Sequence, residues 1–176
     1  MGPCKKIRSF WDPKLVDKQH PKIALHISKI IKKEKEEEIS KNNSRFDRHK
    51  NLLNVKIECL KERMLFNTEK IKVKRNQPIK LEFYNPDATP HNFVLIEPNS
   101  LEEIGLAANK MATDPIASKT GQFIPLSKKI IVHTKMLNQE EKETLRFKAP
   151  SKPGEYPYLC TFPGHWTIMK GTLIVQ

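Results

Sequence analysis

GEYPYLCTFPGHWTIMKGTLIVQ, residues 154–176, reads as strand, loop, strand. Cys160 ends the first strand, Phe162-Pro163-Gly164 makes the turn, and His165 and Met169 lie on the loop before the last strand, KGTLIVQ. Working outward, a period of two recurs from about residue 53. Ile71 and Val73 alternate with lysines, Ile79, Leu81 and Phe83 with Lys80 and Glu82, and Leu145 and Phe147 with Arg146 and Lys148. Such alternation marks strands with one buried face, and turn signals separate them at NPDATP (85–90), APSKPGE (149–155) and FPG (162–164). The pattern predicts an all-β fold, an antiparallel sandwich or barrel. One segment departs from it: Ser100 with Glu103 predicts a capping box opening a helix over LEEIGLAANKMA, inserted between strands.

The loop places Cys160, His165 and Met169 five and four residues apart, in a chain with only three cysteines. Three donors from one loop do not close a site, and His91 supplies a fourth, opening the apolar strand of TPHNFVLI (89–96) directly after a turn. Singly, each residue has an ordinary reading: a buried cysteine acts as a small hydrophobe and methionine fills cores. A lone histidine is commonly a surface or satisfied side chain. Together they form a metal-ligand set. Two imidazoles and a thiolate with a distant thioether suit a blue-copper site, whereas zinc prefers a fourth Cys, His or carboxylate. Cys160 is flanked by Leu159 and Thr161 rather than the histidines a trinuclear oxidase site requires. Position 164 is glycine rather than the second cysteine of a dinuclear site. The sequence therefore predicts a mononuclear centre with no evident substrate position.

The remaining composition bounds the setting. The 176 residues carry a net charge of +12, and residues 1–52 hold 14 Lys/Arg against 7 Asp/Glu. Residues 22–40 place Ile23, Ile27, Ile30 and Ile31 on one face of an amphipathic helix, flanked by turn-rich, polar linkers, WDPKLVDKQHP and KNNSRFDRHKN. Residues 1–52 thus read as a basic N-terminal arm, and 53–176 as the folded domain. The arm has none of the interleaved aromatics, zinc-finger spacing or RNA-binding motifs of a nucleic-acid module, so no nucleic-acid partner is expected. No apolar run is long enough to span a bilayer. MGPCKKIRSF lacks the apolar segment of a secretory signal, which fits a cytosolic protein or a trimmed piece of an exported one.

On CTFPGH followed by Met169-Lys170-Gly171-Thr172-Leu173, and on MLFNTEKIKV (64–73), PHNFVLIEP (90–98) and IIVHTKML (130–137), the chain resembles the azurin-like type I copper proteins of the cupredoxin family. The likeness covers about residues 53–176. It implies an eight-stranded Greek-key β-sandwich with the inserted helix packed outside it. It also implies one copper ion cycling between Cu(I) and Cu(II), held by His91, Cys160 and His165 in a plane. Met169 would be the long axial contact and the Pro90 carbonyl, where the family has glycine, a second weak one. Asn92 would tie the two ligand loops together, and the N–H groups of Asn92 and Phe162 would donate to the Cys160 sulfur. Cys59 would be a buried thiol rather than a partner of Cys4, since the family's N-terminal disulfide has no counterpart. The implied function is electron transfer rather than catalysis, with redox partners such as cytochromes or reductases, outside the cytoplasm, for example in the periplasm. His165, with Phe162, Pro163 and Trp166, would form the apolar patch for electron entry and exit, and Lys128, Lys129 and Lys135 favour an acidic partner. A copper-binding or copper-delivery protein using the same ligands is the alternative.

Overall fold

Alternating apolar side chains require each strand to bury one face, and two sheets meet to do so. The computed structural model describes residues 21–176, so Cys4 and the linker reading of residues 11–20 lie outside the described residues. The chain divides into two units between Phe46 and Asp47. In the first, helix α1 (Pro21–Phe46) has no buried residue. Pro21 suits its first turn, and Lys32 and Glu36 pair one turn apart at 3.9 Å. The helix continues through Lys41–Phe46, which the sequence reading gives to a linker. No helix among the described residues is long and apolar enough to cross a membrane.

In the second unit the described residues form nine strands. They are β1 (Leu53–Leu60), β2 (Leu65–Phe66), β3 (Lys70–Val73), β4 (Pro78–Asn85), β5 (Val94–Ile96), β6 (Ile130–His133), β7 (Glu141–Lys148), β8 (Gly154–Leu159) and β9 (Lys170–Val175). Helices α2 (Leu101–Met111) and α3 (Pro115–Thr120) lie between β5 and β6. One sheet has the order β2-β1-β4-β7, the other β3-β9-β8-β5-β6. The strand beyond the expected eight is β2, a two-residue antiparallel partner for the end of β1. The purely antiparallel expectation is corrected: β1 runs parallel to β4 and β3 parallel to β9. Alternation fixes which face is buried but carries no information on strand direction.

Both sheets contribute to one core. Ile57, Ile79, Leu81, Phe83 and Leu145 from the first meet Ile71, Val73, Leu95, Tyr158, Leu173 and Val175 from the second. At its centre Phe66, Phe83, Phe93 and Tyr158 make tilted and edge-on ring contacts, centroids 5.1–6.5 Å apart. Tyr158 crosses β9 at Gly171, where a Cβ would lie 2.3 Å from the phenol, and its hydroxyl donates to the Thr68 carbonyl. Cys59 is a free, buried thiol in this core.

Helix α2 forms as expected, but not through a capping box. Ser100 has φ −110° and ψ 3° and makes no side-chain cap, and Glu103 reaches Lys129 instead at 2.5 Å. The short α3 was not foreseen. Asp114 accepts from the Ile116 and Ala117 N–H groups, Pro115 fills the first turn and Gly121 closes it in the left-handed region. Asp47, within the segment read as linker, binds Arg146 and Lys80 on β7 and β4 at 2.8 and 2.6 Å.

Candidate metal centre

Two segments on neighbouring strands of one sheet bring the donors together. His91 stands before β5, fixed by reciprocal backbone bonds with Leu137 at 3.1 and 2.8 Å. Cys160 follows β8, which pairs with β5 on one side and β9 on the other. The 160–169 loop closes on itself: the Cys160 N–H donates to the Met169 carbonyl at 3.0 Å, and the Met169 N–H to the His165 carbonyl at 2.7 Å. The His165 N–H donates to the Phe162 carbonyl at 3.0 Å, across a turn that puts Gly164 at φ +87°. That left-handed position favours glycine.

The structure brings His91, Cys160 and His165 together, and Met169, fully buried, closes the same loop through its backbone bonds to His165 and Cys160. His91 Nδ1 lies 3.6 Å from Cys160 Sγ, His165 Nδ1 lies 3.8 Å from the same sulfur, and the two nitrogens are 3.3 Å apart. Ligands bound at about 2.0–2.3 Å and spread evenly in a plane stand about 3.5–3.8 Å apart; both sulfur–nitrogen distances match and the two nitrogens stand slightly closer, so the trio is close to the spacing that a single ion needs. His91, Cys160 and Met169 are fully buried and His165 is 8% exposed. Pro90 is half-buried immediately before His91.

A second layer holds this arrangement. Asn92 Nδ2 donates to Thr161 Oγ1 and Asn92 Oδ1 accepts from the Thr161 N–H, both at 2.7 Å, which clamps the His91 segment to the Cys160 segment. Burial pushes the Cys160 thiol up to about 12, against the Asn92 and Phe162 N–H groups that favour the thiolate. A cation in the site is what reverses that balance. His165 is lowered to about 4, by burial first and then by His91, with Asp87 opposing. His91 is lowered by burial, with Asp87 again opposing.

A histidine whose folded pKa lies below its unfolded value binds fewer protons when folded. Its contribution to stability is complete above about pH 6.5 and is lost as pH falls toward 4. The metal-free protein is therefore expected to hold a constant urea midpoint above pH 7 and to lose stability between pH 6.5 and 4. A flat profile across that window contradicts the burial of both imidazoles in the neutral form.

Helix α2 braces the loop, a role the sequence did not reveal. Asn109 Oδ1 accepts from the Gly164 N–H at 2.8 Å. One turn earlier, Gly105 seats the Trp166 ring, which packs against Val94, Ile96, Ile104 and Leu159. Trp166 is thus drawn toward a core cluster, its Nε1 buried without a partner among the described residues. Phe162 instead flanks the His165 ring at 4.6 Å and meets Phe123 edge-on at 5.6 Å. A Cβ on Gly105 would fall 2.1 Å from Trp166 Cδ2. Alanine gains about 1 kcal/mol in helix propensity but overpacks at about 1–3 kcal/mol. The rigid ring makes the second effect win, so Gly105→Ala should lower the stability of the metal-free protein in urea. A stabilised variant would show that Trp166 does not rest there.

A thiolate and two imidazoles on a rigid β-scaffold, with a buried thioether following, define the donor set of a mononuclear blue-copper centre. Comparison with known proteins agrees. Residues 53–176 match the family of copper binding proteins described as plastocyanin/azurin, and the chain belongs to that family. It is 30% identical over 117 residues to Auracyanin-A of Chloroflexus aurantiacus, covering 65% of this chain and 69% of the relative. It is 31% identical over 125 residues to azurin of Pseudomonas aeruginosa, covering 65% and 80%. The structure of dithionite-reduced auracyanin from Roseiflexus castenholzii superposes with a TM-score of 0.61 at 30% identity, covering 70% of this chain and 96% of that one. The fold is that of the blue copper proteins.

Proposed function

We propose that this protein carries single electrons between redox partners through one type I copper ion. His91 Nδ1, Cys160 Sγ and His165 Nδ1 would hold the copper, with the Met169 thioether and the Pro90 carbonyl as further, weak donors. The observation that carries the reading is the convergence of the three donor atoms, all within 4.8 Å of one another and all buried. Bound copper would supply a one-electron Cu(I)/Cu(II) couple. The residues supply the rest. The Asn92–Thr161 clamp and the loop's own backbone bonds fix the donors, so little movement accompanies a change of oxidation state. The Asn92 and Phe162 N–H groups withdraw electron density from the Cys160 sulfur. Burial of the donor residues keeps bulk water from the site, which supports a carrier rather than a catalyst.

Electrons enter and leave through His165, whose slightly exposed ring is bordered by Phe162. The partners are redox proteins such as cytochromes or reductases, and the compartment is extracytoplasmic, in keeping with the family. The dithionite-reduced relative supports a redox cycle at the same kind of centre. Stopped-flow mixing of the copper-loaded protein with a reduced c-type cytochrome tests the reading. Reversible electron exchange without metal loss is expected. Poor exchange with rapid copper transfer to a competing chelator would make copper delivery the function instead.

A further inference from the structure

The ligand His91 has a second, charged partner. Its Nδ1 faces Cys160, and its Nε2 lies 3.3 Å from Asp87 Oδ2. Asp87 is itself only 7% exposed. The turn between β4 and β5, and Glu62 from the turn between β1 and β2, fix it from several sides. Its Oδ1 accepts from the Ala88 N–H at 2.7 Å and its Oδ2 from the Glu62 N–H at 3.3 Å, while its own N–H donates to Asn85 Oδ1 at 3.0 Å. Asn85 is in turn anchored through Nδ2 to the carbonyls of Thr89 and Leu137, both at 2.9 Å. Leu137 is the residue that brackets His91 by reciprocal backbone bonds. One connected network thus places a buried carboxylate behind one imidazole and none behind the other: no hydrogen bond from His165 Nε2 is found among the described residues.

We propose that Asp87 is a positioning residue that tunes the metal centre through His91. It accepts the Nε2–H, fixes the tautomer that leaves Nδ1 free for the metal, and makes that imidazole the more electron-rich of the two. An electron-rich ligand and a nearby negative charge favour the higher oxidation state, so Asp87 lowers the reduction potential. Reduction adds one electron from the partner protein and no proton: Asp87 keeps its charge and His91 its Nε2–H. The inference rests on the electron-carrier reading of the site.

Asp87→Asn keeps the shape and an accepting oxygen but removes the charge; Asp87→Ala removes both. In the full chain loaded with copper, the Asn variant should keep the intense red band while its affinity for Cu(II) relative to Cu(I) falls at least tenfold. That ratio corresponds to a potential about 59 mV higher for a one-electron couple. A wild-type protein without the red band would sink the electron-carrier reading itself. A wild-type band with an unshifted potential in a folded Asn variant would sink only the role of Asp87. Nitrogen-15 NMR of the metal-free wild-type chain gives a separate answer should the variants misfold. His91 protonated at Nε2 is expected, and His91 protonated at Nδ1 would overturn the proposal.

Discussion

Cys160→Ser should give a folded protein that has lost the intense red absorption and most of its affinity for Cu(II). The band belongs to charge transfer from a thiolate, and a serine hydroxyl, far less acidic, cannot take that part. The Cys160 side chain is fully buried, with the Asn92 and Phe162 N–H groups aimed at its sulfur. A hydroxyl oxygen can accept from either, so the fold should survive with a small change in the urea midpoint. The loss at the metal is larger. Removing a partner outside the ligand set costs about 10–100-fold in affinity, and a ligand lost from the plane costs more. Titration with Cu(II), followed by absorbance and competition with a chelator, measures both effects. An intensely blue Cys160→Ser protein would place the metal elsewhere.

Phe83→Ala should produce the converse: a badly destabilised protein whose folded fraction keeps its copper spectrum. Phe83, on β4, is fully buried and lies in the sheet opposite the ligand loops. Its ring meets Phe66 at 6.0 Å and Phe93 at 6.5 Å, joining the two sheets at the aromatic centre of the core. Truncating a buried phenylalanine costs about 3–5 kcal/mol, because the lost transfer free energy is joined by a cavity that rigid neighbours cannot fill. Total stabilities are about 5–15 kcal/mol, so the loss is a large share. Urea unfolding of the metal-free protein should show a much lower midpoint with an unchanged slope. A loss under about 1 kcal/mol would mean that the sheets do not meet through this ring.

The contrast between these variants shows what was legible in the sequence. Cys160 and His165 fall within six residues, between strands whose alternation declares them, so local spacing alone pointed to two of the three groups that the structure brings together. His91 was legible because it opens an apolar strand directly after a turn. Asn92, Phe162 and Pro90 entered through family resemblance; in the structure Asn92 clamps Thr161 beside Cys160, and the Asn92 and Phe162 N–H groups favour the Cys160 thiolate. What was missed depends on long-range contact. Asp87 reads as a turn residue until its carboxylate is seen behind His91; its only sequence signal is an acid four positions before a ligand histidine. Gly105 and Asn109 lie one turn apart on an ordinary-looking helix, and only the packed loop reveals that this face braces residues 164–166. Asp47 looked like linker because its partners on β4 and β7 are 33 and 99 residues away. The side-chain bonds from Arg146 and then Lys80 hold its carboxyl well below the usual range. The direction of β1 against β4, and of β3 against β9, was beyond a pattern that records faces alone.

The central claim is that His91, Cys160 and His165 hold one redox-active copper ion. Adding one equivalent of Cu(II) to the purified chain and recording the visible spectrum tests it most directly. The account predicts a strong thiolate-to-copper band in the red that saturates at one equivalent, disappears with ascorbate and returns on oxidation. A colourless or faintly absorbing product would mean that Cys160 is not bound in that plane, and would contradict the account.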